Sequence, residues 1–430
     1  MTDLAQFIQD TPLIDTHEHL RKEQEYVDNG PDVLADLFGN YVSADLITAG
    51  ASQEAVNNLL DTSNPDIEAR WNGVKDAWHH CQFTGYGEAV KLIARDVYGM
   101  DDITLAGIEA GATINQQRRQ PGERLRILRD EGNFDHVQTD DFTWPCLPDE
   151  SGVDFFLYDL SWASFCRGGF DVAALHAETG CDVRDLNTLN EAMTALFAKY
   201  GPNAIAVKAQ HAYERTLLWQ QRSESEVAPV LARHLRSAAL TEAEKLILGD
   251  WCWARGVELA IEHNLPFKLH TGYYAGNNRM PVERIKSGNL CRLLATYPAA
   301  RFVLMHIAYP YDPELTAIAK HYRNVYVDMC WAWSIDPYTA SDFVRRFLHT
   351  VPINKLFVFG GDTSWPSASV AYAKQARRWL TRALQAEIDD GMLNEPQAIQ
   401  VAQCLMQTNQ RDCFDIEGTR ATLKAAAEPA

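Results

Sequence analysis

Short runs rich in Val, Ile, Leu and Phe recur along the chain and alternate with longer stretches of helical period. The first, Pro12-Leu13-Ile14-Asp15, runs into Thr16-His17-Glu18-His19. Seven more follow: Phe134 to Val137, Val153 to Leu160, Asn203 to Lys208, Pro266 to His270, Arg301 to His306, Asn324 to Asp328 and Lys355 to Gly361. Helix-like segments such as Thr241 to His263 and Pro313 to His321 separate the later runs. Strand–helix–strand alternation predicts an α/β fold with a parallel sheet. Eight such units predict a closed (β/α)8 TIM barrel, whose core needs about 250 residues. The competing open, doubly wound sheet lacks its phosphate loop, because Gly85-Tyr86-Gly87 has no third glycine and follows no clear strand.

The surplus length falls mainly between the first two runs. Residues 21 to 130 are mostly helical in pattern, with breaks at Gly30-Pro31, Gly50, Pro65 and Pro121. This predicts a helical insertion over the barrel mouth rather than an independent domain, and so one catalytic domain over 1–430. Trp71 and Trp78 within it are expected to pack, since aromatics at helical spacing are usually core.

Composition narrows the function classes. The chain has 430 residues, 46% hydrophobic and 23% charged, an ordinary globular balance. It carries 39 basic and 58 acidic residues, a net charge of −19. That charge opposes phosphate backbones and anionic membranes, so neither nucleic acid nor membrane is an expected partner. The nine cysteines form no C-x-x-C pair and are expected to be reduced. MTDLAQFIQD lacks a basic run followed by an apolar core, and a cytoplasmic location is expected.

The informative residues stand where strands end. His17, His19, Lys208, His270, His306 and Asp362 all lie at or just beyond the C-terminal end of a run. In parallel barrels that end carries the active site. Residues i and i+2 of a strand share a face, so His17 and His19 can address one cation while Glu18 points away. Two imidazoles and a carboxylate from Asp362 give the donor mixture of a catalytic zinc site with an open position. Lys208 admits three readings: a carbamylated bridge, a donor to substrate, or a lysine snorkelling to solvent. His136 and His211 are weaker candidates.

Several stretches carry a resemblance: VKAQHAYERTL (207–217), HTGYYAGNNRM (270–280), VLMHIAYPY (303–311), NVYVDM (324–329) and FGGDTSWP (359–366). With H-x-H after the first strand, histidines after the fifth and sixth and aspartate after the eighth, they resemble the amidohydrolase superfamily, in its amidohydrolase-related branch. The chain is similar there to the amidohydrolase domain of FluG-like proteins and, around His270 to Met280, to uronate isomerases.

The resemblance implies one divalent metal ion per chain, most often Zn2+, held by His17, His19 and Asp362 with His270 as a further candidate ligand. It implies Asp362 as general base, His306 polarising a carbonyl or stabilising developing charge, and Lys208 among the catalytic residues. The expected reaction is hydrolysis, with metal-activated water attacking an amide, ester or lactone of a small, anionic substrate. Arg279, Arg215 and Tyr309 are the candidate substrate-binding residues, and Trp331, Trp333 and Trp365 a candidate aromatic wall. Uronate isomerases usually place an arginine shortly after the last aspartate; here Thr363, Ser364 and Trp365 follow. Isomerisation or decarboxylation at the same site is the alternative chemistry, and a non-catalytic barrel the alternative class. A homo-oligomer is expected only by analogy with related barrels.

Overall fold

The computed structural model describes residues 2–273 and 280–427. Eight strands form one sheet in sequence order, each parallel to the next: β1 Leu13–Glu18, β2 Phe134–Thr139, β3 Phe156–Ser161, β4 Ala206–Ala209, β5 Phe267–Leu269, β6 Phe302–Leu304, β7 Val325–Asp328 and β8 Leu356–Phe357. Backbone bonds then join β1 to the chain beyond β8: Thr16 N–H to Phe359 O (3.2 Å), Asp362 N–H to His17 O and His19 N–H to Thr363 O (both 2.9 Å). The fold is a (β/α)8 barrel, and all eight expected strands are present. β8 is shorter than its apolar run because residues 358–361 meet their neighbours through isolated bonds instead of a continuous ladder. β3 starts later than expected because Asp149 caps a turn ahead of it, taking the N–H and hydroxyl of Ser151.

Between β1 and β2 run helices from Glu23–Asn29 to Glu123–Arg126. Ser, Thr and Asp side chains at positions 32, 52, 66, 84 and 104 cap five of them. Their apolar faces share a core in which Phe38 packs against Trp71 and Trp78 (ring centroids 5.8 and 5.3 Å), so both tryptophans pack as expected.

The two ends of the barrel differ. At the N-terminal end, Ile14, Leu157, Ile205, Val303 and Phe357 close over Phe414, Ile416 and Leu423 from the C-terminal segment. Above this plug the interior turns polar. Lys268 Nζ, fully buried, sits 2.8 and 2.9 Å from the two oxygens of Asp159 and 2.8 Å from Thr16 O. No helix among the described residues is long and apolar enough to cross a membrane.

Candidate active site

His17 lies in β1 and His19 just beyond it, so the pleat brings both rings to one place, with centroids 4.7 Å apart. Asp362 follows β8 with φ +58°, a left-handed backbone that Asp tolerates better than most residues. Its Oδ1 stands 3.3 Å from His17 Nε2 and 3.3 Å from His19 Nε2. Segments more than three hundred residues apart in sequence thus converge at the C-terminal rim.

Local bonds fix the protons. His19 Nδ1 lies 2.6 Å from Asp140 O. A carbonyl only accepts, so Nδ1 carries the hydrogen, and in the neutral ring Nε2 turns a lone pair towards Asp362. Two acceptors then face each other with no proton between them, an arrangement a cation relieves. A separation of about 3.3 Å is also the edge of a tetrahedron built from ~2.0–2.2 Å nitrogen and oxygen bonds to zinc. The donor set therefore fits a small divalent ion. Lys208, fully buried, places Nζ 3.0 Å from His17 Nε2, and His17 Nδ1 has no partner.

The rest of the site surrounds Asp362. Tyr41, from the helical insertion, donates its hydroxyl to Asp362 Oδ2 at 2.6 Å. His306 follows β6 and begins three consecutive residues of positive φ (64°, 46° and 49°). Local strain of this kind gathers at functional sites. Its Nδ1 donates to Cys330 O (3.2 Å), and its buried Nε2 has no partner. Trp331, also at positive φ, stacks on the ring at 4.6 Å. Gly272 permits this crowding, since a Cβ there would collide with His306 Cβ.

Burial sets the charge states. It holds His306 neutral, with its pKa lowered to about 4, and holds His17 and His270 neutral as well. For Asp362 burial acts upward, but its contacts with the neighbouring imidazoles, His17 foremost, outweigh it. The carboxyl stays well below its usual range and ionised. Beneath it, burial pushes Asp15 up to about 7 and Asp328 up to about 6.

Residues 229–395 match the family model described as Amidohydrolase. Over 97% of its length the chain is 25% identical to Protein fluG of Emericella nidulans, and it spans about half (47%) of that protein. The chain is thus similar to the amidohydrolase-related family, over residues 229–395 in the family model and over most of its length in the fluG relative. Among solved structures, uronate isomerase from Thermotoga maritima superposes with a TM-score of 0.79 at 15% identity, covering 96% of this chain and 98% of the other. Glucuronate isomerase from Caulobacter crescentus gives 0.76 at 14% identity, covering 99% and 94%. These likenesses carry the fold.

Three residues singled out in the sequence stand apart from the group of His17, His19 and Asp362 or are more buried than one of their readings allows. His270 has both nitrogens engaged, Nε2 with Gly272 O (2.7 Å) and Nδ1 with the Tyr213 hydroxyl (3.1 Å). It stands beside His306 (centroids 4.3 Å) but outside the group formed by His17, His19 and Asp362. Arg215 presents no open guanidinium: it is buried and bonds Asp250 Oδ1 (2.7 Å) and the carbonyls of Cys166, Thr216 and Leu218. Lys208 does not snorkel, since it is fully buried. Arg279 lies outside the described residues. Tyr309 lines a cavity above the site. Of the proposed aromatic wall, Trp331 stacks on His306, Trp365 lies 6.0 Å from the Tyr26 ring, and Trp333 is buried with its indole N–H on Val358 O. Tyr41 escaped the sequence reading; nothing in a helical insertion marks one tyrosine as facing the barrel.

Proposed function

We propose that the chain is a metal-dependent hydrolase acting on an amide, ester or lactone of a small molecule, with 1–430 working as one catalytic unit. The observation that carries this reading is the convergence of His17 Nε2 and His19 Nε2 on Asp362 Oδ1, each at 3.3 Å. His17, His19 and Asp362 hold the ion, with Zn2+ the candidate favoured by two imidazoles and one carboxylate. A divalent ion there lowers the pKa of water towards ~7 and polarises a carbonyl.

The chain's own groups handle the proton. Asp362 is the general base, kept ionised, and the Tyr41 hydroxyl fixes its Oδ2 so that Oδ1 keeps its aim. His306 has a revised role. A neutral imidazole that donates through Nδ1 offers an acceptor at Nε2, not a donor, so it takes a proton instead of polarising a carbonyl. Lys208 Nζ, buried 3.0 Å from His17 Nε2, would be placed to donate to a substrate oxygen beside an ion held by His17, His19 and Asp362.

Hydrolysis of a panel of N-acyl amides, esters and lactones in oxygen-18 water tests the reading. One heavy oxygen in the product carboxylate is expected; turnover of any substrate without solvent oxygen overturns it. A second reading, proton transfer between substrate carbons, draws support from the nearness of His306 and Asp362, which offer atoms within 4.8 Å of each other, and from the unpartnered His306 Nε2. It predicts solvent deuterium on carbon when uronates are incubated in heavy water.

A further inference from the structure

Above the site, residues of the helical insertion together with Tyr273, Tyr309 and Ile335 line a cavity of about 370 Å³. That lies near the lower end of the ~300–1,000 Å³ typical of small-molecule sites, room for about one ring and its substituents. Tyr86, Tyr273, Tyr309 and Ile335 supply its apolar and aromatic wall. Two lining groups are polar in a specific way. The Tyr86 hydroxyl is buried, at 4% residue exposure, and has no hydrogen-bond partner. The Asp45 carboxylate is half-buried and, among the described residues, accepts from the Thr84 hydroxyl at Oδ2 (2.6 Å). Among the described residues no Lys, Arg or His lines the cavity.

A half-buried carboxylate with no cation beside it among the described residues repels an anion and attracts a donor. Tyrosine faces around it add cation–π attraction for an ammonium. The cavity is also one side chain from the chemistry: the Tyr86 ring lies 5.4 Å from the ring of Tyr41, which holds Asp362.

We infer that this cavity receives the end of the substrate remote from the reacting bond, and that this end is a single ring or comparable apolar group bearing an amine, with Asp45 as its counter-ion and the Tyr86 hydroxyl as a second contact. The inference rests on the hydrolase reading for its orientation, and it replaces the anionic substrate expected from sequence. Asp45 and Tyr86 are then the specificity-determining residues of the site.

Benzylamine and phenylacetate, of like size and opposite charge, are the probes. Their binding to the full chain is measured by saturation-transfer NMR and titration after chelator treatment, so that no metal captures the carboxylate. Benzylamine should bind about tenfold or more tightly than phenylacetate, as a charge-assisted pair in a partly desolvated site requires. Asp45→Asn should erase that preference, and Tyr86→Phe should weaken benzylamine by a few-fold while leaving the preference in place. Equal binding of the two probes, binding of neither, or benzylamine affinity untouched in Asp45→Asn overturns the inference. Because the titration is metal-free, it succeeds or fails independently of the metal reading, which zinc binding to the same preparation reports.

Discussion

At its N-terminal end the barrel is closed by apolar side chains of Ile14, Leu157, Ile205, Val303 and Phe357, plugged by Phe414 with hardly a polar atom among them. At its C-terminal rim the same strands end in buried imidazoles and carboxylates, in left-handed backbone at His306, Trp331 and Asp362, and in orphaned polar atoms such as His17 Nδ1 and His306 Nε2. One end is a closely packed apolar cluster and the other breaks several packing rules at once. Sites that keep strained backbone and unpaired polar groups do so where function requires them. The difference teaches that substitutions at the plug should act on stability and substitutions at the rim on chemistry.

The largest expected effect separates the two ends most sharply. Asp362→Asn keeps a residue that tolerates φ +58° and removes the charge. Turnover should fall by about 10²- to 10⁴-fold, the range for losing a general base, with thermal unfolding little changed. At the plug, Phe414→Ala should cost about 3–5 kcal/mol in denaturant unfolding, as for other buried aromatics, while activity per folded molecule persists. A stability loss in the first variant and an activity loss in the second would erase the contrast.

Between these lies Tyr41→Phe, which removes the hydroxyl from Asp362 Oδ2. A hydrogen bond to a charged group is worth about 1.5–3 kcal/mol. Without it the carboxylate is less stabilised and its pKa rises. The acid limb of the pH–rate profile should therefore move to higher pH, a shift that a merely structural tyrosine would not produce.

A gradual effect, spread over several pH units, is a pH dependence of stability. Burial holds the pKa of Asp15 at about 7 and that of Asp328 at about 6, against an ordinary 3.8. Between those limits the folded chain keeps protons that the unfolded chain has released. Stability from these groups is present at low pH and declines as pH rises from about 4 to about 7, by on the order of 1 kcal/mol per pH unit for each group at most. Denaturant midpoints at pH 5 and pH 7 check the sign, and Asp15→Asn should flatten the slope.

Much of the rim was legible in the sequence because two periodicities coincide there. Aliphatic runs located the strands, and polar residues at their ends had only one plausible place to go. His17, His19 and Asp362 emerged from that logic alone. The logic failed where the partner of a residue comes from elsewhere in the chain. Arg215 looks available in sequence but meets Asp250, thirty-five positions on. His270 stands at the right strand end but turns its nitrogens to Gly272 and Tyr213. Tyr41, Asp45 and Tyr86 were invisible, since helical period shows which face of a helix is apolar and not that the insertion folds back over β8. The tautomer of His306 depends on one carbonyl, Cys330 O, whose position only the backbone reveals.

The most direct test is a calorimetric titration of the chelator-treated chain with Zn2+, run in parallel on Asp362→Asn and on His19→Ala. One equivalent should bind the unaltered chain, and each variant should bind more weakly by about a hundredfold or more, as loss of a ligand implies. Equal affinity in all three proteins would place any bound ion somewhere other than between β1 and β8, and would contradict the account at its centre.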